Sequence, residues 1–411
     1  MRRALLAVAV LVVILVGAGA AFVLYRQHQS RNVHGSSTIE FVTTEPVAPR
    51  VREEGVLWPT YGYSASRTRF VPDVRLRPPF RTLWRYRAQS LLEFPPVIAY
   101  GRLYLTNNAG VAIAVNTKTG KRAWKHFEHR CAASSPTVHA HVVYATFLNR
   151  PPCNASQKAD GEVVAYAAGF GRVLWRTRIG PSESSPLVAN GRVYVGDWRG
   201  NVYALDVETG RIRWTYHTEG RVKGAVALAG NRLFVGSYDG HAYALDARNG
   251  HLLWRQGAQP RLGSTGTFYA TPAVSYGRVY IGSTDGKLYS FGAASGKLRW
   301  SHGTGGYVYG SAAVWRKRVY VGSYSKTFFC FDAATGDVLW TFKANGPISG
   351  SATIVDGVVY FATLKRRTYA LDARTGKQLW IFPDGKYSPV VADQKRLYVV
   401  GYARMYGMVP R

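Results

Sequence analysis

Tyr203-Ala204-Leu205-Asp206-Val207-Glu208-Thr209-Gly210-Arg211-Ile212-Arg213-Trp214 is the stretch that decides how this chain folds. The phrase returns from Tyr243 to Trp254 and from Tyr369 to Trp380, and looser copies end at Trp124, Trp175, Trp300 and Trp340. Trp84 stands one interval before the first of these. A period of about 40 residues marks a repeat architecture, in which no single unit can bury its apolar face alone.

Working outward from that phrase, the third copy reads as four short strands: Pro186 to Ala189, Arg192 to Val195, Asn201 to Leu205 and Arg211 to Trp214. Asn190-Gly191 between the first two is a strong hairpin signal, because both turn positions need positive φ. No stretch between turns has the length or period of an amphipathic helix. Four strands per unit, repeated radially, make propeller blades. Seven blades end at Trp124 through Trp380. The chain then supplies three more strands, Ser388 to Val391, Arg396 to Val400 and Arg404 to Met408. The strand around Leu83-Trp84-Arg85 is left over at the front, and adding it completes an eighth blade without exposed sheet edges. Gly407 then falls where other copies place Ala204 or Ala244. The expected fold is all-β: an eight-bladed β-propeller with four-stranded blades.

The repeated Ala-x-Asp-x-x-x-Gly-x-x-x-Trp is complete at Ala204/Asp206/Gly210/Trp214, Ala244/Asp246/Gly250/Trp254 and Ala370/Asp372/Gly376/Trp380. Elsewhere Asn116 and Ala167 replace the Asp, Ser290 and Gly292 replace Ala and Asp, and Cys330 replaces the Ala. This pattern resembles the tryptophan-docking motif of PQQ-type (quinoprotein-like) eight-bladed propellers. Trp58-Pro59-Thr60-Tyr61-Gly62-Tyr63, with Thr68-Arg69-Phe70, is similar to that superfamily's opening segment. The resemblance spans residues 58–411. A docking tryptophan needs a small residue and a Gly beneath it, so the eight tryptophans (Trp84, Trp124, Trp175, Trp214, Trp254, Trp300, Trp340 and Trp380) read as scaffold rather than chemistry.

Ala4 to Tyr25 is an uninterrupted apolar run, long enough to cross a bilayer as a helix. Arg2 and Arg3 precede it, which places residues 1–3 in the cytoplasm and the propeller on the extracytoplasmic side of a single-pass membrane protein. The alternative is a cleaved signal peptide, with Ala18-Gly19-Ala20 as the processing site. Residues 26–57 read as an extended linker. Cys131 and Cys153 flank a hairpin that turns near Ala140-His141, so antiparallel pairing brings them within disulfide reach; the alternative is two unpaired loop thiols. Cys330 takes a small-residue docking position and reads as core. Asn154-Ala155-Ser156 is a glycosylation sequon, relevant only to a eukaryotic secretory host.

Lys plus Arg number 53 against 23 Asp plus Glu, a formal net charge of +30. Export and the absence of a basic helix argue against nucleic acid, and cations scattered over turns and strand ends suit a protein or an anionic envelope component as partner; the equal alternative is that they merely solvate the surface. The resemblance covers quinoprotein dehydrogenases, which hold PQQ and calcium over the channel and need several convergent carboxylates, an Asn and usually two adjacent cysteines. Here no two cysteines adjoin, and the segments leading into the inner strands are poor in acids. Glu183 is the one nearby carboxylate that a quinoprotein could use as a ligand. No catalytic residue and no metal site are assigned, and neither PQQ nor calcium is expected. The superfamily also covers non-catalytic members, the BamB-like lipoproteins among them, although no Cys follows the apolar run here. The expectation is a monomeric binding or assembly scaffold; the alternatives are a PQQ-dependent alcohol or sugar dehydrogenase, or a small-ligand sensor. Arg221, Lys223, Tyr269, Tyr307 and Tyr309 lie in segments that should reach one face of the ring and form the partner surface.

Overall fold

Register explains the blade. In blade three, Leu187–Ala189, Arg192–Gly196, Asn201–Asp206 and Ile212–His217 pair antiparallel in sequence order. The Asn190-Gly191 turn has φ of 52° and 70°, as a two-residue hairpin requires. Ala204 lies opposite Trp214. The indole Nε1 donates to the Ala247 carbonyl of blade four at 3.2 Å. Its ring covers Gly250, where an added Cβ would come within 2.6 Å of it. The docking tryptophans from Trp84 to Trp340 thus clamp their own blade to the next, with the next repeat's Gly beneath the ring, whereas Trp380 packs edge-on against Phe80. Trp124, Trp175, Trp254, Trp300 and Trp340 repeat the bond to the next blade's carbonyl.

A computed structural model describes residues 2–47, 53–151, 153, 160–260, 266–388 and 390–411 of this chain. It shows eight blades, and the last is closed as the repeat count requires. Phe80–Arg87 pairs antiparallel with Arg404–Pro410, which continues to Leu397–Val400 and Val390–Ala392. Trp84 lies opposite Gly407 and its Nε1 donates to Thr117 O of blade one at 3.0 Å. The seam therefore carries the same clamp as the continuous joints. Pro389 and the sequon at residues 154–156 fall outside the described residues.

Two short strands escape the repeat pattern. Val56–Trp58 pairs with Val97–Ala99 of blade one, and Phe70–Val71 pairs parallel with Thr353–Val355 of blade seven. Between them the chain circles the inside of the ring. Carbonyls of Pro59, Ala65, Ser66, Thr68 and Arg69 accept from Val138, Leu228, Val274, Val314 and Ile354, each at 2.8–2.9 Å. Arg67, fully buried, donates to Val226 O at 2.9 Å and to Ser185 O and Pro186 O of the adjoining blade. A plug of this kind satisfies inner-strand groups that would otherwise face an axial hole.

At the front, Arg2–Gln29 forms one helix, of which Val10–Gln29 is long and apolar enough to cross a membrane. The described part of the connecting segment, which sequence reading takes as an extended linker, is fastened to blades five and six. Val33 bridges Ser301, Gly35 N donates to Thr335 O at 2.8 Å, and Glu40 receives the Arg299 guanidinium. Cys131 and Cys153 are bonded, with Cα atoms 5.6 Å apart, and Cys330 is buried.

Candidate functional site

The segments leading into the inner strands converge at one end of the channel. Their small hydroxyl residues join blade to blade: Ser135 N donates to Ser185 Oγ, Thr271 N to Ser311 Oγ and Ser311 N to Ser351 Oγ, each at 2.9–3.0 Å. Ser185, Ser311 and Ser351 are thus structural staples. Inside this collar, called the funnel below, Tyr61 packs edge-on to Phe94 (5.3 Å between centroids) and has the Arg69 guanidinium 3.9 Å from its ring centre.

Glu183 reaches into the funnel from blade three and is only 8% exposed. The Lys223 ammonium of blade four sits 3.1 Å from its Oε1, and the Tyr269 hydroxyl of blade five donates to Oε2 at 3.2 Å. Lys223 is boxed by aromatic faces, with Nζ 4.4 Å from Trp198, 5.6 Å from Tyr238 and 5.8 Å from Tyr269. A lysine in such a box gains cation–π attraction as well as its ion pair. Beyond it Tyr269, Tyr309, Tyr307 and Tyr324 form a continuous aromatic wall, with Tyr309 centred 5.2 Å from Tyr269 and 5.1 Å from Tyr324. Arg221 is exposed and its guanidinium also lies over the Trp198 ring, at 5.7 Å.

Geometry therefore brings Glu183, Arg221, Lys223, Tyr269, Tyr307 and Tyr309 together at one mouth. Sequence reading passed over Glu93, Trp198, Tyr238 and Tyr324. Glu93 of blade one takes a hydrogen bond from Asn108 Nδ2 at 3.2 Å. Burial first, then the charge of Glu183, holds its carboxyl above the usual range. Burial and the same Glu183 charge push the Tyr238 and Tyr269 phenols upward, so both stay protonated donors at neutral pH.

This fold and mouth define a class, the eight-bladed PQQ-type propellers. The chain belongs to the family whose model is described as outer membrane protein assembly factor BamB, which matches residues 81–149, 159–307 and 303–406. Among curated relatives, the dehydrogenase subunit of the quinone alcohol dehydrogenase of Komagataeibacter europaeus is 30% identical over 193 residues, covering 39% of this chain and 25% of that protein. BamB of Salmonella typhimurium is 26% identical over 177 residues, covering 32% of this chain and 45% of that one. The chain thus spans about a quarter of the length of the dehydrogenase subunits it matches. Among solved structures, BamB of Moraxella catarrhalis superposes with a TM-score of 0.65 at 17% identity, over 80% of this chain and 100% of that one. The quinohemoprotein alcohol dehydrogenase of Comamonas testosteroni gives 0.71 at 15% identity, over 87% and 82%. At these identities the structures attest the fold.

The quinoprotein resemblance implies PQQ and calcium, and Glu183 is the position to compare with what a calcium ion requires. Calcium takes six to eight oxygen ligands, several of them carboxylate. Here an ammonium already occupies the position beside Glu183 that a cation would need. No cluster of three or more His, Cys, Asp or Glu suited to a metal occurs among the described residues. Two of the three cysteines are bonded to one another and the third is buried in blade six.

Proposed function

We propose that this chain is a membrane-anchored, extracytoplasmic propeller that acts as a non-catalytic binding or assembly scaffold, with the funnel mouth as its contact surface. One observation carries the reading: the Glu183–Lys223 pair, closed by Tyr269 and the Trp198–Tyr238 box, uses the funnel's charges on each other. Carboxylates so engaged are poor bases and poor metal ligands. The exposed Tyr307 and Arg221 around them are residue types that anchor protein interfaces. Membership of the BamB family and the partial match to BamB of Salmonella typhimurium support a protein partner, and the net charge of +30 adds an anionic component of the cell envelope as the other candidate.

The match to quinone alcohol dehydrogenases favours a second reading, in which Glu183, Glu93 and Asn108 would supply oxygen donors to a cation after Lys223 had swung away. The two readings differ in what the mouth touches. A photoreactive residue at Tyr307, in the full chain within its native membrane, is expected to yield a discrete cross-linked adduct. The same residue at Glu208, at the opposite end of blade three, is expected to yield none. Absence of any adduct from Tyr307, Tyr309 and Arg221 alike would defeat the scaffold reading.

A further inference from the structure

The segment after the helix joins the two faces of the ring in a fixed order. Gln29 O and Arg31 O accept from Gln259 Nε2 at 3.0 Å. Lys287 Nζ binds Ser30 O and Arg31 O. Asn32 Oδ1 then accepts from Gly303 N at 2.9 Å, Val33 bridges Ser301, and Glu40 meets Arg299 and Ser295. Val42 N donates to Tyr276 O at 3.0 Å, and Glu45 takes the Tyr276 hydroxyl at 2.7 Å. The strap therefore descends antiparallel to the outer strand of blade five, Leu298–Gly303, from its far end to its near end.

Which face lies at each end follows from backbone bonds. The turn at Ser283 to Gly286 is tied to Thr267, Thr304 and Val308, the segments leading into the inner strands of blades five and six. Ser30 shares a cleft with Gly286, Lys287, Gly305, Gly306 and Tyr307, so it sits on the funnel side. Tyr276 and Ser295 belong to the turns at the other end. The helix thus leaves the propeller at the rim of the funnel, and the strap finishes at the opposite face.

We infer that the propeller stands on the bilayer with its funnel face toward the membrane, the exposed cations around that face resting on anionic lipid headgroups and the mouth itself left to a partner held in or at the same membrane. The inference relies on the anchor reading given above. Val10–Gln29 is the spanning candidate, and the first strap bonds fall at Gln29 and Arg31, so no slack separates the helix end from blade five. A tether would let the ring tumble; bonds on consecutive residues over the full height of a blade do not. Tyr25 and Arg26 lie in the last turn, where an aromatic ring and a long cation suit the headgroup layer. On the funnel face Arg150, Arg199, Arg221, Lys326, Lys365 and Arg366 are exposed, whereas Glu219 is the exposed acid among the described residues of those segments. Such a surface attracts anionic lipid. The opposite face carries exposed cations too, such as Arg172, Lys118 and Lys317, so charge alone does not choose a side. The strap makes the choice.

The full chain, reconstituted in phosphatidylglycerol-containing vesicles with headgroup spin-labelled lipid, tests this with a fluorescent label at Tyr307→Cys or at Glu208→Cys. Both sites are exposed, and a six-residue strand separates the two faces by about 20 Å. Quenching is expected at Tyr307→Cys and to be lost at Glu208→Cys; Val33→Pro combined with Glu40→Lys should abolish the difference. Equal quenching at the two sites, stronger quenching at Glu208→Cys, or an asymmetry that survives the strap substitutions would overturn the inference. The intact mass of the membrane-extracted protein separates the two failures: a start near Phe22 overturns the anchor and the orientation together, whereas a full-length chain with symmetric quenching overturns the orientation alone.

Discussion

Substituting Gly407→Ala probes the seam where the ring closes. A Cβ built on Gly407 lies 2.2 Å from Trp84 Cε2 and 2.5 Å from its Nε1, against ordinary contacts of 3.4–4 Å. The indole must retreat by roughly 1 Å, because methyl and ring cannot share that space. Retreat loosens two contacts on blade one: the 3.0 Å bond from Nε1 to Thr117 O, and the seat over Gly120, whose added Cβ would lie 2.6 Å from the ring. Overpacking costs about 1–3 kcal/mol and a weakened hydrogen bond about 1 kcal/mol. Against this, the loss of glycine's freedom in the unfolded chain returns about 0.4–1 kcal/mol. Blade three holds Ala204 opposite Trp214, so the architecture has a relaxed geometry available, and the net is set at about 1–2 kcal/mol of destabilisation. Urea unfolding of the full chain in detergent, followed by tryptophan emission, measures it. In a Trp84→Phe background the smaller ring leaves room, so the penalty should fall by more than half, a coupling that a double-mutant cycle isolates. An unchanged midpoint for Gly407→Ala, or the same penalty in both backgrounds, would refute the packing of Phe80–Arg87 against Arg404–Pro410.

Three further outcomes follow from particular contacts. Replacing Cys131 and Cys153 by Ser opens a loop with a sequence separation of 22; the loss should be about 3 kcal/mol in the loop-entropy picture, read as a lowered midpoint that reductant reproduces in the unmutated chain. The Glu93 carboxyl is held above its usual value, so its neutral form is stabilised in the fold; that contribution is present below about pH 4.3 and is lost as pH rises through the raised value. Glu93→Gln is accordingly expected to raise the melting temperature at pH 7 and to leave it unchanged near pH 4, and equal effects at both would contradict the assignment. Lys223→Met leaves Glu183 buried without its cation and should destabilise by about 3–5 kcal/mol, much of it recovered by adding Glu183→Gln.

The repeat made the ring legible because local pattern and global position agree in it. A Trp, a Gly and a hairpin turn recur in register, and their spacing alone counts blades and predicts that Trp84 must meet Gly407. The Cys131–Cys153 bond was readable for the same reason, since hairpin register places two positions opposite each other. Val56–Trp58 and Phe70–Val71 were not readable. They are too short to show alternation, and their partners lie in blades one and seven, chosen by the closed ring rather than by neighbours in sequence. The strap is a similar case, for its mixed polar composition reads as tether until Glu40 meets Arg299. Glu183, Lys223 and Tyr269 could be assigned to one face from topology, but their mutual contact could not, since they come from three different blades. Glu93 precedes the first inner strand in a stretch with no repeat signature, and nothing local marks it. Trp198 and Tyr238 occupy the turn between the two middle strands of their blades, which reads as simple punctuation until the ring brings Lys223 between them.

Lys223 holds the place beside Glu183 that a metal would need. Equilibrium dialysis of the purified full chain against PQQ and calcium, with dye-coupled alcohol oxidation recorded on the same sample, addresses that directly. The expected result is no retained PQQ and no turnover, with Lys223→Met changing stability rather than activity. Stoichiometric PQQ uptake with alcohol oxidation that Glu183→Gln abolishes would contradict it.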